Sequence, residues 1–135
     1  MLDMRWVEVQ WRGLELYRKQ GRLEGFSTFP NRPSHTYTVR YWARKGPFSV
    51  HDKPEKRMFQ FRVEFKSIAV PEYHLVNHRQ WKGIHPNLFS TGKLCHHYPW
   101  DSRDARAFAG LIQSLMKWVD EPNYGSPTSC YRGRQ

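Results

Sequence analysis

The residues best able to do covalent chemistry lie in one short run, His85-Pro86-Asn87-Leu88-Phe89-Ser90-Thr91-Gly92-Lys93-Leu94-Cys95. Cys95 is one of two cysteines, and the other, Cys130, lies in a polar tail. A thiolate is the strongest side-chain nucleophile at neutral pH, although a free thiol is only slightly ionised there. A cysteine in a structured setting points to acyl transfer through a thioester, against the ordinary alternative of a small buried hydrophobe. The upstream residues favour the first. Pro86 fixes its own φ and pushes His85 towards an extended conformation. Asn87 brings an amide that can donate to an oxyanion or tie a loop to the backbone. Gly92 permits a tight turn just before Leu94 and Cys95. Together they describe a rigid, irregular loop that returns an amide towards a thiol.

Other chemistries can be set against this one. Cys95, His96, His97 and His85 could be assembled into a zinc site. Adjacent ligands rarely close on one tetrahedral ion, however, and no Cys-x-x-Cys or His-x-x-x-His spacing is present, so no metal is expected. A cysteine hydrolase needs a general base and a group to orient it. His96 follows Cys95 directly, so in extended chain the two side chains point apart, and His85 is the better-placed base. His96 and His97 read as polar loop residues near the thiol. Positive charge on them at mildly acid pH would favour a neighbouring thiolate.

The elements that position this run can be read along the chain. Leu2, Trp6, Val9, Leu16 and Tyr17 fall near helical spacing, so residues 2–19 favour a helix despite Gly13, although Trp6, Glu8 and Gln10 alternating with Val7, Val9 and Trp11 would also fit a strand. Gly21–Gly25 reads as a break and Phe26–Phe29 as a short strand stopped by Pro30 and Pro33. Residues 35–44 alternate Tyr37, Val39 and Tyr41 with polar positions, and residues 57–65 alternate Phe59, Phe61, Val63 and Phe65 likewise. A fourth strand is expected at 73–76. Consecutive strands with no helix between them imply an antiparallel meander with one face on the core. Residues 76–98 have no clean period and read mostly as loop. With Asp101 or Ser102 as N-cap, Ala105, Phe108, Ala109, Ile112, Leu115, Met116 and Val119 mark the buried face of a long helix. Asp104 suits the dipole of its first turn, and Pro122 stops it.

At 135 residues this is one α+β domain over residues 1–127, followed by a polar basic tail at 128–135. No apolar run is long enough to span a bilayer, and no secretion segment is evident, so no membrane partner is expected. Two cysteines in unrelated contexts make no disulfide framework, and a reducing, cytoplasmic setting is the natural expectation. The net charge of +10 calls for acidic partners. Arg12, Arg18, Lys19 and Arg22 cluster on or just after the first helix. Nucleic acid is the rival partner, because Tyr37, Tyr41, Phe59 and Phe61 could stack on bases. Those rings fall on the face a meander must bury, and no RNP-like motif is present, so nucleic acid is unlikely.

A second run lies downstream, Glu121-Pro122-Asn123-Tyr124-Gly125-Ser126-Pro127, with the long helix between it and Cys95. His85-Pro86-Asn87, then Gly92-Lys93-Leu94-Cys95 and Trp100, resembles the active-site segment of ubiquitin-conjugating enzymes. The downstream run resembles the turn that ends that family's central helix and carries its active-site gate. The resemblance is clear from Ile84 to Pro127 and looser before it. It implies the family's fold: an N-terminal helix, a four-stranded meander, an active-site loop and one long central helix. It also implies that Cys95 accepts the C-terminus of a ubiquitin-like modifier as a thioester from an activating enzyme, then passes it to an amine, usually a lysine, of a protein target. Asn87 would stabilise the oxyanion or hold the loop. His85 and Pro86 would shape that loop, with the histidine structural rather than a base. Ser126 would stand at the gate, and the first helix, with its basic cluster, would meet the activating enzyme. No cofactor is implied, since ATP is used by the activating enzyme. The family's Tyr-Pro-x-x-Pro-Pro stretch and its two C-terminal helices are missing, the chain is shorter between Cys95 and Trp100, and His96 replaces an aliphatic residue. These features look like compact bacterial members, some of which load a nucleotide-signal synthase in antiviral defence.

Overall fold

The structure is a computed structural model, and it describes residues 24–28, 35–65, 71–101, 103–104 and 106–132. The helix expected over residues 2–19, and with it Arg12, Arg18, Lys19 and Arg22, lies outside the described residues. The expected α+β class is present as an antiparallel sheet carrying one long helix.

The sheet is built around β2 (His35–Trp42) and β3 (Met58–Phe65), with β4 (Glu72–Leu75) beside β3. Tyr37 faces Val63, Val39 faces Phe61 and Tyr41 faces Phe59. This register puts every apolar residue of the two alternating runs on one side, where all seven are buried. On the polar side, Thr36 reaches Glu64 and Arg40 reaches Gln60 across the same ladder. β1 (Glu24–Thr28) pairs with the other edge of β2, with a register shift between Glu24 and Ser27. It starts earlier than the expected Phe26–Phe29, inside the stretch read as a break. A glycine in a strand commonly marks such an irregularity, and Gly25 lies within the shift. β2 ends two residues before the expected Arg44. The Arg44 and Lys45 amides turn instead to the Asp120 carboxylate, at 3.0 and 3.4 Å.

Residues 76–98 hold more order than their lack of period implied. A one-turn helix, α1 (His78–Trp81), lays the Trp81 ring on Phe59 with centroids 4.0 Å apart. The Trp81 indole N–H donates to the Met58 carbonyl at 3.0 Å. The long helix, α2 (Ala107–Asp120), lies across the sheet, and Phe108 meets Tyr37 edge-on and Phe65 at a tilt. Its first turn comes later than the expected cap at Asp101 or Ser102, and Ser102 and Ala105 lie outside the described residues. The Asp101 and Asp104 carboxylates accept the backbone N–H groups of Arg103 and Arg106 at 2.9 and 2.8 Å. Such turns compete with helix, so Asp104 precedes α2 rather than sitting in its first turn. At the other end the Asp120 carboxylate, buried and bonded by the Tyr41 hydroxyl, ties α2 to the end of β2.

Candidate active site

His85 to Cys95 folds as an irregular hairpin on the end of the sheet next to α2. Leu88 and Leu94 pair across it and are both buried, while Phe89 N–H bonds Lys93 O at 2.9 Å. At its tip Gly92 has φ +92°, and its carbonyl accepts the Leu75 N–H at 2.9 Å. A Cβ at this position would come within 2.8 Å of the Leu75 carbonyl. The glycine expected to allow a turn thus meets both demands, a left-handed conformation and a close approach. The returning strand delivers Cys95, whose N–H donates to the Asn87 carbonyl at 2.9 Å. The Cys95 side chain is exposed.

His85 is the most confined residue of the run. Its Nδ1 accepts the Asn87 N–H at 3.0 Å, which leaves Nε2–H to donate to the Trp118 carbonyl at 2.9 Å. The ring stacks on Trp118 with centroids 3.7 Å apart. Burial pushes its pKa down to about 4, only partly opposed by the bond to Trp118. A neutral ring with both nitrogens engaged and no exposure cannot serve a substrate as a base. It shapes the loop, and with Pro86 it fixes where Asn87 begins.

Asn87 is also buried. Its Oδ1 accepts the Asn123 N–H at 2.8 Å. Its Nδ2 donates to the carbonyls of Asn123 and Ser126, at 3.0 and 3.2 Å. An amide nitrogen has two hydrogens, and both are used here. Of the two roles read from the sequence, this geometry provides the loop-holding one. The three bonds join the hairpin to the turn after α2, so Cys95 and Ser126 become walls of one cleft of about 260 Å³.

His96 departs from its expected role beside the thiol. Its Nδ1 lies 2.7 Å from the Tyr73 hydroxyl, and its Nε2 is hydrogen-bonded to the Ser114 hydroxyl of α2. Burial, and next the charge of His97, lower its pKa below the usual histidine value. A cation is disfavoured where the ring is half covered by β4 and α2. His97 is exposed on the rim of the same cleft. Among the described residues, no group of three or more His, Cys, Asp or Glu is placed to hold a metal ion. No described helix is long and apolar enough to cross a membrane.

Sequence reasoning missed the wall contributed by α2: Ser114, Lys117, Trp118 and Glu121. Their spacing of three or four residues puts them on one side of a helix, which was a usable signal once the helix was assigned. The described part of the polar segment after Pro127 also packs on the hairpin. Thr128 N–H donates to the Pro86 carbonyl at 2.7 Å and Arg132 N–H to the Gly83 carbonyl at 3.0 Å, so residues 128–132 brace the back of the hairpin. Cys130 sits there, and hydrogen bonding from the Ser90 backbone lowers its thiol pKa. Tyr37, Tyr41, Phe59 and Phe61 are all buried, so none offers a face to a base. No protein-family model matches this chain, and no curated protein or solved structure matches it significantly.

Proposed function

We propose that the protein is a ubiquitin-like conjugating enzyme of the compact, bacterial type, accepting a modifier's C-terminus as a thioester on Cys95 and passing it to an amine. The observation that carries this reading is the side chain of Asn87. Its three hydrogen bonds unite the two separated runs on which the family resemblance rests, and they place Cys95 and Ser126 on one cleft. The exposed thiol meets a large partner without rearrangement, and the cleft beside it admits an amine-bearing side chain. The antiparallel sheet with a single long helix is compatible with the fold that the resemblance implies.

The chemistry is acyl transfer from sulfur to sulfur, then from sulfur to nitrogen. Modifier, activating enzyme and target are its partners, and a nucleotide-signal synthase in antiviral defence is one candidate target. The test is loading in the presence of ATP, an activating enzyme and its modifier. A non-reducing gel should show a conjugate that a thiol reductant removes. Cys95→Ala should lose that band and Cys130→Ala should keep it. A labile band of the same intensity in Cys95→Ala would reject the reading.

A further inference from the structure

We propose that Ser114 and His96 form the proton-accepting pair for the second half of this reaction: Ser114 takes the proton of the amine that attacks the Cys95 thioester, and His96 takes the proton of Ser114. The inference rests on the reading of Cys95 as the acyl carrier. It goes beyond that reading by assigning a base that neither sequence run contains.

The pair is built from three elements. Ser114 lies on α2 and lines the cleft with Cys95. His96 Nε2 is hydrogen-bonded to the Ser114 hydroxyl. Tyr73 on β4 fixes the ring from its other side, with its oxygen 2.7 Å from Nδ1. The same hydroxyl donates to the His96 carbonyl at 3.4 Å. In the Nδ1–H tautomer, which the pair requires, the Tyr73 oxygen accepts from Nδ1–H and Nε2 accepts from Ser114 Oγ–H. A hydroxyl whose proton already points at a neutral, oriented imidazole is the arrangement that accepts a proton from an incoming nucleophile.

Other polar groups at the cleft, or behind it in the case of His85, are less suited. Both Asn87 amide hydrogens are used and its oxygen is bonded, so it has nothing to offer an amine. His85 is buried with both nitrogens engaged. Glu121 lies 3.7 Å from the Lys45 ammonium and is directed towards it. The charged and titratable groups facing His96 are His97 next in the chain, Tyr73 from β4, Cys95, and Lys117 and Glu121 from α2. His97 and the partial burial of the ring both favour its neutral form.

The step balances without any further reactant. The amine nitrogen attacks the thioester carbonyl, and a C–N bond forms. Its proton moves to Ser114 Oγ as the hydroxyl proton of Ser114 moves to His96 Nε2. The C–S bond then breaks, and Cys95 leaves as a thiolate. The imidazolium returns its proton through Ser114 to that sulfur or to water. The products are an amide and the free thiol.

The test uses the full chain carrying Cys130→Ala, so that one thiol takes the acyl group. Cys95 is acylated by exchange with a glycylglycine thioester of 2-mercaptoethanesulfonate, and loss of the acyl mass is followed after adding free lysine across mildly acid to mildly alkaline pH. Acylation is run to completion in the parent, Ser114→Ala and His96→Gln before lysine is added, so that only discharge is compared. Discharge to lysine should slow by about 10²-fold in both, the lower end of what a positioned base contributes. Ser114→Thr, which keeps the hydroxyl, should restore most of the rate, which a merely structural contact would not require. The parent rate should fall on the acid side as His96 protonates, in addition to the ionisation of lysine itself, and this extra limb should vanish in His96→Gln. Ser114→Ala discharging at the parent rate with an unchanged melting temperature would overturn the proposal, as would an acid limb that survives in His96→Gln. If Cys95 takes up no acyl group in the parent chain, the conjugating reading itself is rejected and the pair's role with it.

Discussion

Asn87 and His85 share one task at the residue scale, because each spends its polar atoms on backbone rather than on solvent. Removing the Asn87 amide leaves the Asn123 N–H and two carbonyls without that partner. Loss of such part-buried bonds costs on the order of 1–3 kcal/mol. Asn87→Ala is therefore expected to lower the melting temperature and to impair loading and discharge together. A protein of unchanged stability that loads normally and fails only in transfer to lysine would return the amide to an oxyanion role. His85 makes a pH prediction. Its pKa is about 4 when folded and near 6.5 when unfolded, so the unfolded chain binds the extra proton between those values. Stability from this residue is fully present above about pH 6.5 and is lost as pH falls towards 4, by roughly 3 kcal/mol over the window. Urea denaturation at pH 7 and at pH 4.5 should show a smaller acid loss in His85→Gln than in the parent. An equal loss in both proteins would mean that the acid sensitivity lies elsewhere, with His96 and His74, whose pKa values are also lowered, the next to test.

The hairpin depends, at the scale of elements, on one backbone position. Gly92 combines φ +92° with a carbonyl oxygen 2.8 Å from where a Cβ would stand. Gly92→Ala should destabilise the protein by about 1–3 kcal/mol, the usual cost of a strained backbone site. The loss should appear as a lower urea midpoint with an unchanged slope, and a neutral midpoint would show that the Gly92–Leu75 contact is dispensable. How much of this architecture the sequence shows depends on whether its cause is local. The apolar alternation of residues 59–65 names its own buried face, because a strand has period two and only one register buries Phe59, Phe61, Val63 and Phe65 together. The long helix is legible for the same reason at period 3.6. Its start is not, because Asp101 and Asp104 are as good at forming turns as at capping. The adjacency of His96 to Cys95 is visible in the sequence, whereas its partners Tyr73 and Ser114 lie 23 and 18 residues away and are not. The bracing of Pro86 by Thr128 was hidden likewise, since a polar composition says nothing about which backbone groups a segment will find.

For the molecule as a whole, the dominant quantity is the net charge of +10. A field of that sign raises the encounter rate with acidic partners and is felt mainly before contact. The rings that offered a nucleic-acid alternative are inside the core, so a stacking platform built from Tyr37, Tyr41, Phe59 and Phe61 is not available to carry that function. Protein docking is the role we propose for the charge, and the family resemblance points to the early cluster of Arg12, Arg18, Lys19 and Arg22 as its seat. Reversing two of these with Arg18→Glu and Lys19→Glu should slow loading of Cys95 through the association rate. The defect should shrink as salt is added, because exposed charges are screened over about 8 Å at physiological ionic strength. Discharge of an already acylated Cys95 to free lysine should barely change, since it involves no activating enzyme. Stopped-flow loading at several salt concentrations, run beside single-turnover discharge, separates the two steps. Loading that is unaffected by the double reversal at every salt concentration would remove the docking role from this cluster while leaving the chemistry of Cys95 untouched. A filter-binding assay supplies the opposing arm: submicromolar, salt-sensitive retention of single-stranded RNA by the parent, lost in the double reversal, would assign the same charge to nucleic acid.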